Sequence, residues 1–200
     1  GAGATGNTTA TVTSSINAFA TIALKPLNPP ATGVIQAVGE TQLGADWSLR
    51  AGATGYTLAA SLNSGLSPSP IAASSTTIGL SAVVSQPALD PNTTYYLFVR
   101  SDGLRQSSDW DTWAATSTLA NVPVFDNFTG IIAGAIQFNW LANSNPAWTD
   151  YRVLSSTAPD PLAPGGAVVL SSDTLNLFLS SSILTANTTY FFRVAAINNN

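Results

Sequence analysis

The residues able to do covalent or metal chemistry are few in this sequence and lie far apart. The chain has no His and no Cys, which removes the usual general base, the thiol nucleophile and the soft metal ligands. Its single Glu is Glu40, and the nearest carboxylate pair is Asp109 with Asp111, whereas calcium takes six or more oxygen ligands. We therefore predict no catalytic residue, no metal and no cofactor, and a protein that is not an enzyme.

Two other kinds of side chain suggest binding or modification. Three tryptophans fall in or near predicted loops, where an exposed ring can stack on a sugar: Trp110, Trp113 and Trp148. Four Asn-x-Ser/Thr strings are candidate acceptors for N-linked glycans: Asn7, Asn92, Asn127 and Asn187. Two of these, Asn92 and Asn187, also occupy a turn where Asn is expected for conformational reasons alone. Binding to surface glycans is therefore kept as a second hypothesis.

The composition limits the class of protein. Charged residues are 8% of the chain and hydrophobic residues 45%, and the aromatic content is sufficient for packed cores. Six basic residues and a net charge of −4 exclude the electrostatic footprint of a nucleic-acid binder. No apolar run approaches the ~20 residues of a membrane span. Low charge, abundant Ser, Thr and Asn, and the lack of Cys predict a secreted prokaryotic protein, extracellular or on the cell surface.

One unit of sequence occurs twice. The string Leu89–Val99 returns as Leu184–Val194, a shift of 95 residues. Trp47 precedes the first string and Trp140 precedes the second, a shift of 93 residues. Ordered matches at a nearly constant shift indicate a true internal repeat of about 95 residues.

The length of this unit and the order of its Trp and Tyr signals resemble the fibronectin type III family. In that family the Trp fills the core between two sheets, and the late Tyr forms a tyrosine corner with nearby backbone. The resemblance assigns these roles to Trp47 with Tyr95 and to Trp140 with Tyr190. It implies an all-β fold of two tandem fibronectin type III-like β-sandwiches, at residues 28–120 and 121–200, preceded by an extended N-terminal strand at residues 1–27. Alternating apolar residues predict strands at Ile78–Val84 and Leu175–Leu179.

The ends of the chain differ from the repeat. Apart from Phe19 and Ala23, the apolar residues between 10 and 24 fall on even positions, interrupted only by Ser14, which predicts one long strand with an apolar face. A shift of 93 residues places Asp111–Ser117, the predicted last strand of the first unit, on Ala18–Leu24. The second unit continues only six residues beyond Val194, so we expect it to lack its last strand.

These ends predict an assembly in which the leading strand of one copy completes the second sandwich of another. Six residues would form the subunit interface: Val12, Ile16, Ala18, Ala20, Ile22 and Leu24. Strand addition of this kind is the principle of donor-strand complementation in pili, and its head-to-tail repetition gives a filament. Two alternatives stay open. The chain is a spacer or carbohydrate-binding module cut from a longer secreted protein, or its leading strand pairs with its own first domain.

Overall fold

Short antiparallel strands joined by turns make up the regular structure, as the β-branched and turn-forming residues predict. This computed structural model describes residues 26–31, 33–66, 71–160, 162–163 and 168–199, with backbone alone at 8–11, 19–22 and 36–37. The described residues form fifteen strands and no helix. Consequently, no described segment is a helix long and apolar enough to cross a membrane.

The first domain consists of seven strands in two sheets. They are β3 (Val34–Val38), β4 (Leu43–Asp46), β5 (Gly55–Ser61), β6 (Ala73–Thr77), β7 (Ser81–Val84), β8 (Thr94–Asp102) and β9 (Asp111–Ser117). One sheet has the order β3-β4-β7 and the other β6-β5-β8-β9. Alternate residues face inward, so Leu43, Leu58, Leu97 and Val99 are fully buried around Trp47.

The second domain consists of six strands in two sheets. They are β10 (Val124–Ile132), β11 (Ala135–Leu141), β12 (Tyr151–Ser156), β13 (Val168–Thr174), β14 (Phe178–Ser181) and β15 (Phe191–Ala196). One sheet has the order β10-β11-β14 and the other β13-β12-β15. Its buried core is smaller than that of the first domain and contains Phe138, Trp140, Tyr151 and Val153. The predicted all-β fold of two sandwiches is confirmed.

Two predicted strands begin later than the apolar pattern suggests. The strands predicted at Ile78–Val84 and Leu175–Leu179 start three residues further on, at Ser81 and Phe178. Each is preceded by a turn closed by a hydroxyl group. Thr77 Oγ1 accepts the Gly79 N–H at 2.9 Å, and Thr174 Oγ1 accepts the Asn176 N–H at 3.0 Å. These turns reverse the chain between sheets, and their apolar residues lie outside the strands.

The leading segment differs from a single continuous strand in the residues described. β1 (Thr8–Thr11) and β2 (Phe19–Ile22) pair antiparallel with each other, with Thr8 opposite Ile22 and Thr11 opposite Phe19. Of the six predicted interface residues, Ala20 and Ile22 lie in β2. Val12, Ile16, Ala18 and Leu24 lie outside the described residues, as does Asn7.

Candidate functional site

An open sheet edge runs along β15 in the second domain. In the first domain, β9 pairs with β8 and completes the four-stranded sheet. The corresponding strand of the second domain, β15, pairs with β12 on one side, and no described strand pairs with its other side. Main-chain N–H and C=O groups on such an edge form a ready template for an added strand.

The core beneath this edge is also uncovered. Four inward positions of β8 are buried: Tyr95, Leu97, Val99 and Ser101. The residues 95 positions later are all partly exposed: Tyr190, Phe192, Val194 and Ala196. Since the two strands have equivalent places in their domains, the difference reflects the cover that β9 gives to β8.

A groove of about 490 Å³ lies between β15 and the other sheet of the second domain. We call it the open groove, and six of its lining residues are Phe125, Phe128, Phe138, Phe191, Phe192 and Val194. The rings form a cluster, with centroids 5.3 Å apart between Phe125 and Phe128 and 5.5 Å apart between Phe128 and Phe192. None of the described residues that line it is charged. An apolar groove beside a free strand edge is suited to binding a strand with one apolar face.

The equivalent place in the first domain is filled by Trp113 of β9. Its ring lies 6.1 Å from that of Trp47 and packs over Gly33, where an added Cβ would overlap the Trp113 ring and the Asp46 carbonyl oxygen. Val34 pairs with Asp46, so continuing this register by one residue brings Gly33 opposite Trp47. In the second domain, Phe125 pairs with Trp140. The first domain therefore combines a small residue with a large one from the last strand. In the second domain the small residue is replaced by Phe125.

The tyrosine and tryptophan residues assigned from the repeat occupy the same places in both domains. The Asp90 N–H donates to the Tyr95 hydroxyl at 3.0 Å, and the Thr185 N–H donates to the Tyr190 hydroxyl at 2.9 Å. Each bond joins residues five positions apart across the turn before β8 or β15. Two further residues, Trp47 and Trp140, are buried in the two cores. These four side chains have structural roles.

Burial gives the first tyrosine corner a dependence on pH. Desolvation raises the pKa of Tyr95 above its usual value, with the hydrogen bond from the Asp90 N–H opposing this rise. Because the folded state holds the proton more tightly than the unfolded state, this contribution to stability is complete below about pH 10 and is lost as the pH rises through the folded pKa.

We expect Tyr95→Phe to lower the free energy of unfolding of the first domain by about 1–2 kcal/mol at pH 8, because the Asp90 N–H loses its buried acceptor. Between pH 9 and pH 11, the variant should lose less stability than the parent. Urea unfolding of the parent and the variant at pH 9 and at pH 11 measures the two losses of unfolding free energy. Equal losses would show that Tyr95 ionisation does not contribute.

The tyrosine-corner turn of the first domain also forms the joint with the second. Asn92, fully buried at φ +46°, donates through Nδ2 to Thr149 Oγ1 at 3.0 Å and to the Ile197 carbonyl oxygen at 3.2 Å. Its Oδ1 accepts the Asn199 N–H at 2.9 Å. Asn is favoured here because it tolerates the left-handed conformation and supplies both a donor and an acceptor.

The linker between the domains is fixed by a second set of amide bonds. The Asn121 N–H donates to Asn145 Oδ1 at 2.7 Å, and Asn145 Nδ2 donates to the Asn121 carbonyl oxygen at 2.8 Å. Asn143 Nδ2 donates to the Val122 carbonyl oxygen at 2.8 Å. With Pro123 buried beside them, these bonds fix how the linker enters the second domain.

Replacing Asn92 should weaken the joint. We expect Asn92→Ala to lower the free energy of unfolding by about 2–3 kcal/mol, because it leaves Thr149, Ile197 and Asn199 without their buried partner. Asn187→Ala is the matched control, since Asn187 has φ +56° but is exposed. It should cost about 1 kcal/mol or less. Equal costs for the two variants in denaturant titrations would mean that backbone conformation alone, rather than the joint, determines the effect.

The candidate glycan acceptors have different surroundings. Asn92 has no free space for a glycan in this fold, because its amide nitrogen is buried and donates two hydrogen bonds. The prediction that Asn92 is a glycan acceptor is therefore corrected, because its side chain is buried in this fold. Asn127 and Asn187 are exposed, although Asn127 Oδ1 accepts a bond from Asn139 Nδ2 at 2.8 Å. Both remain candidates.

The three candidate sugar-stacking tryptophans are not equivalent. Trp113 packs against the first core, and Trp110 has the Arg100 guanidinium 4.8 Å above its ring. Trp148 is 62% exposed and lies in a cleft at the joint with Leu62 and Asp90. Of the three, only Trp148 presents a largely exposed ring. The described residues contain no group of three or more His, Cys, Asp or Glu side chains that could hold a metal ion.

Comparison with solved structures shows the fold. The chain is similar to a two-domain fibronectin type III segment of chicken tenascin, with a TM-score of 0.58 and 17% identity over 86% of this chain and 93% of that one. It also matches the chicken CNTN1 FN1–FN3 domains, with 17% identity over 89% of this chain and 65% of that one and a TM-score of 0.37. A third match is FN3tt, with 21% identity over 48% of this chain and 98% of that one and a TM-score of 0.39. No protein-family model and no curated protein sequence matches it. The chain has the fold of tandem fibronectin type III domains.

Proposed function

We propose that this protein is the structural subunit of an extracellular filament. In this proposal, the leading strand of one copy fills the open groove and pairs with β15 of another copy. The observation that carries the proposal is the uncovered edge of β15 above an apolar, uncharged groove. The occupant is a segment of the same chain, because residues 10–24 supply the one-sided apolar pattern that this groove needs.

The sizes of the side chains support this occupant. A shift of 93 residues places position 20 of the leading strand where Trp113 lies in β9. Residue 20 is an Ala, and the groove contains Phe125 where the first domain has Gly33. One pair is thus Gly33 with Trp113, and the other is Phe125 with Ala20. The volume lost on the added strand is regained on the domain, as close packing of a shared core requires.

Energetics favour a strong joint. Burying an Ile or Leu side chain contributes about 1.5–3 kcal/mol, and the interface residues include Ile16, Ile22 and Leu24. Pairing with β15 adds main-chain hydrogen bonds of about 1 kcal/mol each. Part of this energy offsets the ordering of the strand. Because the contact is heterologous, its repetition builds an open filament unless it closes into a ring.

The described lining of the open groove has no charged residue, and this predicts how the filament responds to salt. The critical concentration for assembly should change little between about 0.05 and 1 M salt. Salt weakens interactions between exposed charges, and the described lining of the groove has none. The proposed filament needs no partner other than copies of the same chain. An extracellular or cell-surface location follows from the proposed role and from the low-charge composition.

A second function is favoured by one observation. Trp148 is exposed in the cleft at the joint, beside the Asp90 carboxylate and Thr93. A planar ring beside hydrogen-bonding groups is suited to a sugar. In this alternative the chain is a spacer or carbohydrate-binding fibronectin type III module of a longer secreted protein, whose following residues complete β15. Binding to cellulose, chitin or a glycan array that is lost on Trp148→Ala would support it.

Deleting residues 1–24 separates the two functions. The parent chain should form filaments visible by negative-stain electron microscopy at micromolar concentration, and the deleted chain should remain monomeric. A mixture should form shorter filaments, because a deleted subunit can accept a strand but cannot donate one. A parent chain that sediments as a monomer, with a folded second domain, would refute the filament.

A further inference from the structure

The joint between the two domains is a contact between the corner turn of one unit and the opposite end of the next. Asn92 of the first corner binds Thr149 and Ile197, which flank β12 and β15 at the near end of the second domain. Both partners are thus presented by the strand pair that also carries the open edge. The same sequence unit supplies both domains, so both halves of this contact should also occur at the outer ends of the chain.

The second domain carries an exposed copy of the corner turn. Asn187 lies 95 residues after Asn92 and has φ +56°, against +46° for Asn92. The turn is closed in the same way, since Thr93 Oγ1 donates to the Pro91 carbonyl oxygen and Thr188 Oγ1 to that of Ala186. The conformation is therefore kept in a turn that, among the described residues, has no hydrogen bond to the first domain.

The first domain carries the receiving half. Tyr56 pairs with Ser101 as Tyr151 pairs with Ala196, so the register fixes the equivalent residues. Thr149 corresponds to Thr54, and Ile197 corresponds to Asp102. Thr54 is exposed and Asp102 partly exposed, and Thr54 Oγ1 donates to the Asp102 carbonyl oxygen at 3.2 Å. The Thr54 N–H donates to the same carbonyl oxygen at 2.8 Å, so both lone pairs of that oxygen are used within the first domain. The Thr54 hydroxyl oxygen keeps the acceptor capacity that Thr149 Oγ1 offers to Asn92.

Both outer surfaces also expose large apolar side chains. Leu104, beside the Thr54 end, is 91% exposed, and Ile131 and Ile132, beside the Asn187 corner, are 67% and 71% exposed. The connection is long enough. Six residues (118–123) link β9 to β10, whereas nine (25–33) separate position 24 from β3. A donated strand that ends at residue 24 can therefore be followed by the same docking of the next domain.

We infer that the joint within the chain is repeated between subunits. The Asn187 corner of one copy docks on the Thr54 and Asp102 end of the next, with Asn187 Nδ2 donating to Thr54 Oγ1. This inference rests on the proposed filament. It identifies a second contact between subunits, separate from the open groove, that fixes the angle between successive subunits and stiffens the fibre.

Cysteine pairs test this contact, because the chain has no Cys of its own. A variant with Thr54→Cys and Asn187→Cys is assembled and treated with a short bismaleimide. We expect a ladder of covalent multimers on denaturing gels. The variant with Asn92→Cys and Thr149→Cys is the positive control and should cross-link within one chain. The variant with Ser74→Cys and Asn187→Cys is the negative control, since Ser74 is exposed on β6 away from the proposed contact.

The outcomes distinguish the inference from the function on which it rests. Filaments with a ladder support both. Filaments that give no ladder, while the positive control cross-links, overturn the inference and leave strand donation intact. If the cysteine variant does not assemble, the critical concentration of the Asn187→Ala variant tests the inference instead. This substitution should raise the critical concentration about five- to tenfold, as the loss of one hydrogen bond predicts. An unchanged critical concentration would overturn the inference, and a parent chain that forms no filament overturns both.

Discussion

Ala20→Trp should abolish filament formation, and Phe125→Ala should restore it in the double variant. The reason is the exchange of sizes between the domains: Trp113 packs over Gly33, whereas Phe125 occupies the equivalent place in the open groove. A Trp at position 20 would meet Phe125, and overpacking of a shared core costs about 1–3 kcal/mol or more. Removing the Phe125 ring makes room for the indole.

This rescue is specific to the proposed register. Phe125 is 55% exposed in the subunit, so its replacement should change the folding of the isolated chain little. Phe125→Ala alone should weaken assembly moderately, because it leaves a space beside the native Ala20. Filament yield measured by pelleting should follow the order parent, double variant, Ala20→Trp. If Phe125→Ala does not restore Ala20→Trp, position 20 does not face Phe125.

Ile22→Asp should raise the critical concentration of assembly by about a thousandfold, whereas Thr21→Asp should leave it nearly unchanged. In the proposed joint, even positions face the open groove and odd positions face solvent. Ile22→Asp loses the burial of an Ile and places a carboxylate among uncharged aromatic residues, a combined cost of about 4 kcal/mol or more. Thr21→Asp adds the same charge one residue away.

The matched pair controls for net charge and for the position along the chain. Light scattering across a dilution series measures the critical concentration of each variant. Equal effects of the two substitutions would contradict a one-sided strand in the groove. They would favour pairing in which the leading segment has no buried face.

The repeat made much of the fold predictable. A shift of 95 residues aligned Tyr95 with Tyr190, and both hydroxyls accept a backbone N–H from five residues earlier. The pattern was less informative at turns. Ile78, which continues an apolar alternation, is 90% exposed because the hydroxyl of Thr77 closes a turn there. Alternation records which residues are apolar but not where the main chain reverses.

The candidate site was predictable only in part. The missing last strand of the second domain stays a prediction. The size exchange between Gly33 and Phe125 could not be predicted from the sequence, since it depends on the register of β3 and β10. The sequence also did not predict the joint. Asn92 is a typical turn residue in sequence, and its buried bonds to Thr149 and Asn199 depend on residues 57 and 107 positions away. Such contacts arise from tertiary packing and leave no local signal.

The two proposed contacts would have different roles in the fibre. The donated strand would supply most of the association energy through apolar burial and main-chain bonds. The corner contact would supply orientation through short amide bonds, as Asn92 does within the chain. A filament built in this way needs neither disulfides nor salt bridges between subunits, which agrees with a chain that has no Cys and 8% charged residues.

A cryo-electron microscopy reconstruction of assembled filaments tests the central claim most directly. We predict a seventh strand paired with the free edge of β15, with side-chain density that fits residues 18–24 of a neighbouring copy and a small side chain against Phe125. The connection to the neighbour's first domain should be continuous through residues 25–33. Filaments in which β15 has no added strand, or in which that strand comes from the same copy, would contradict the claim.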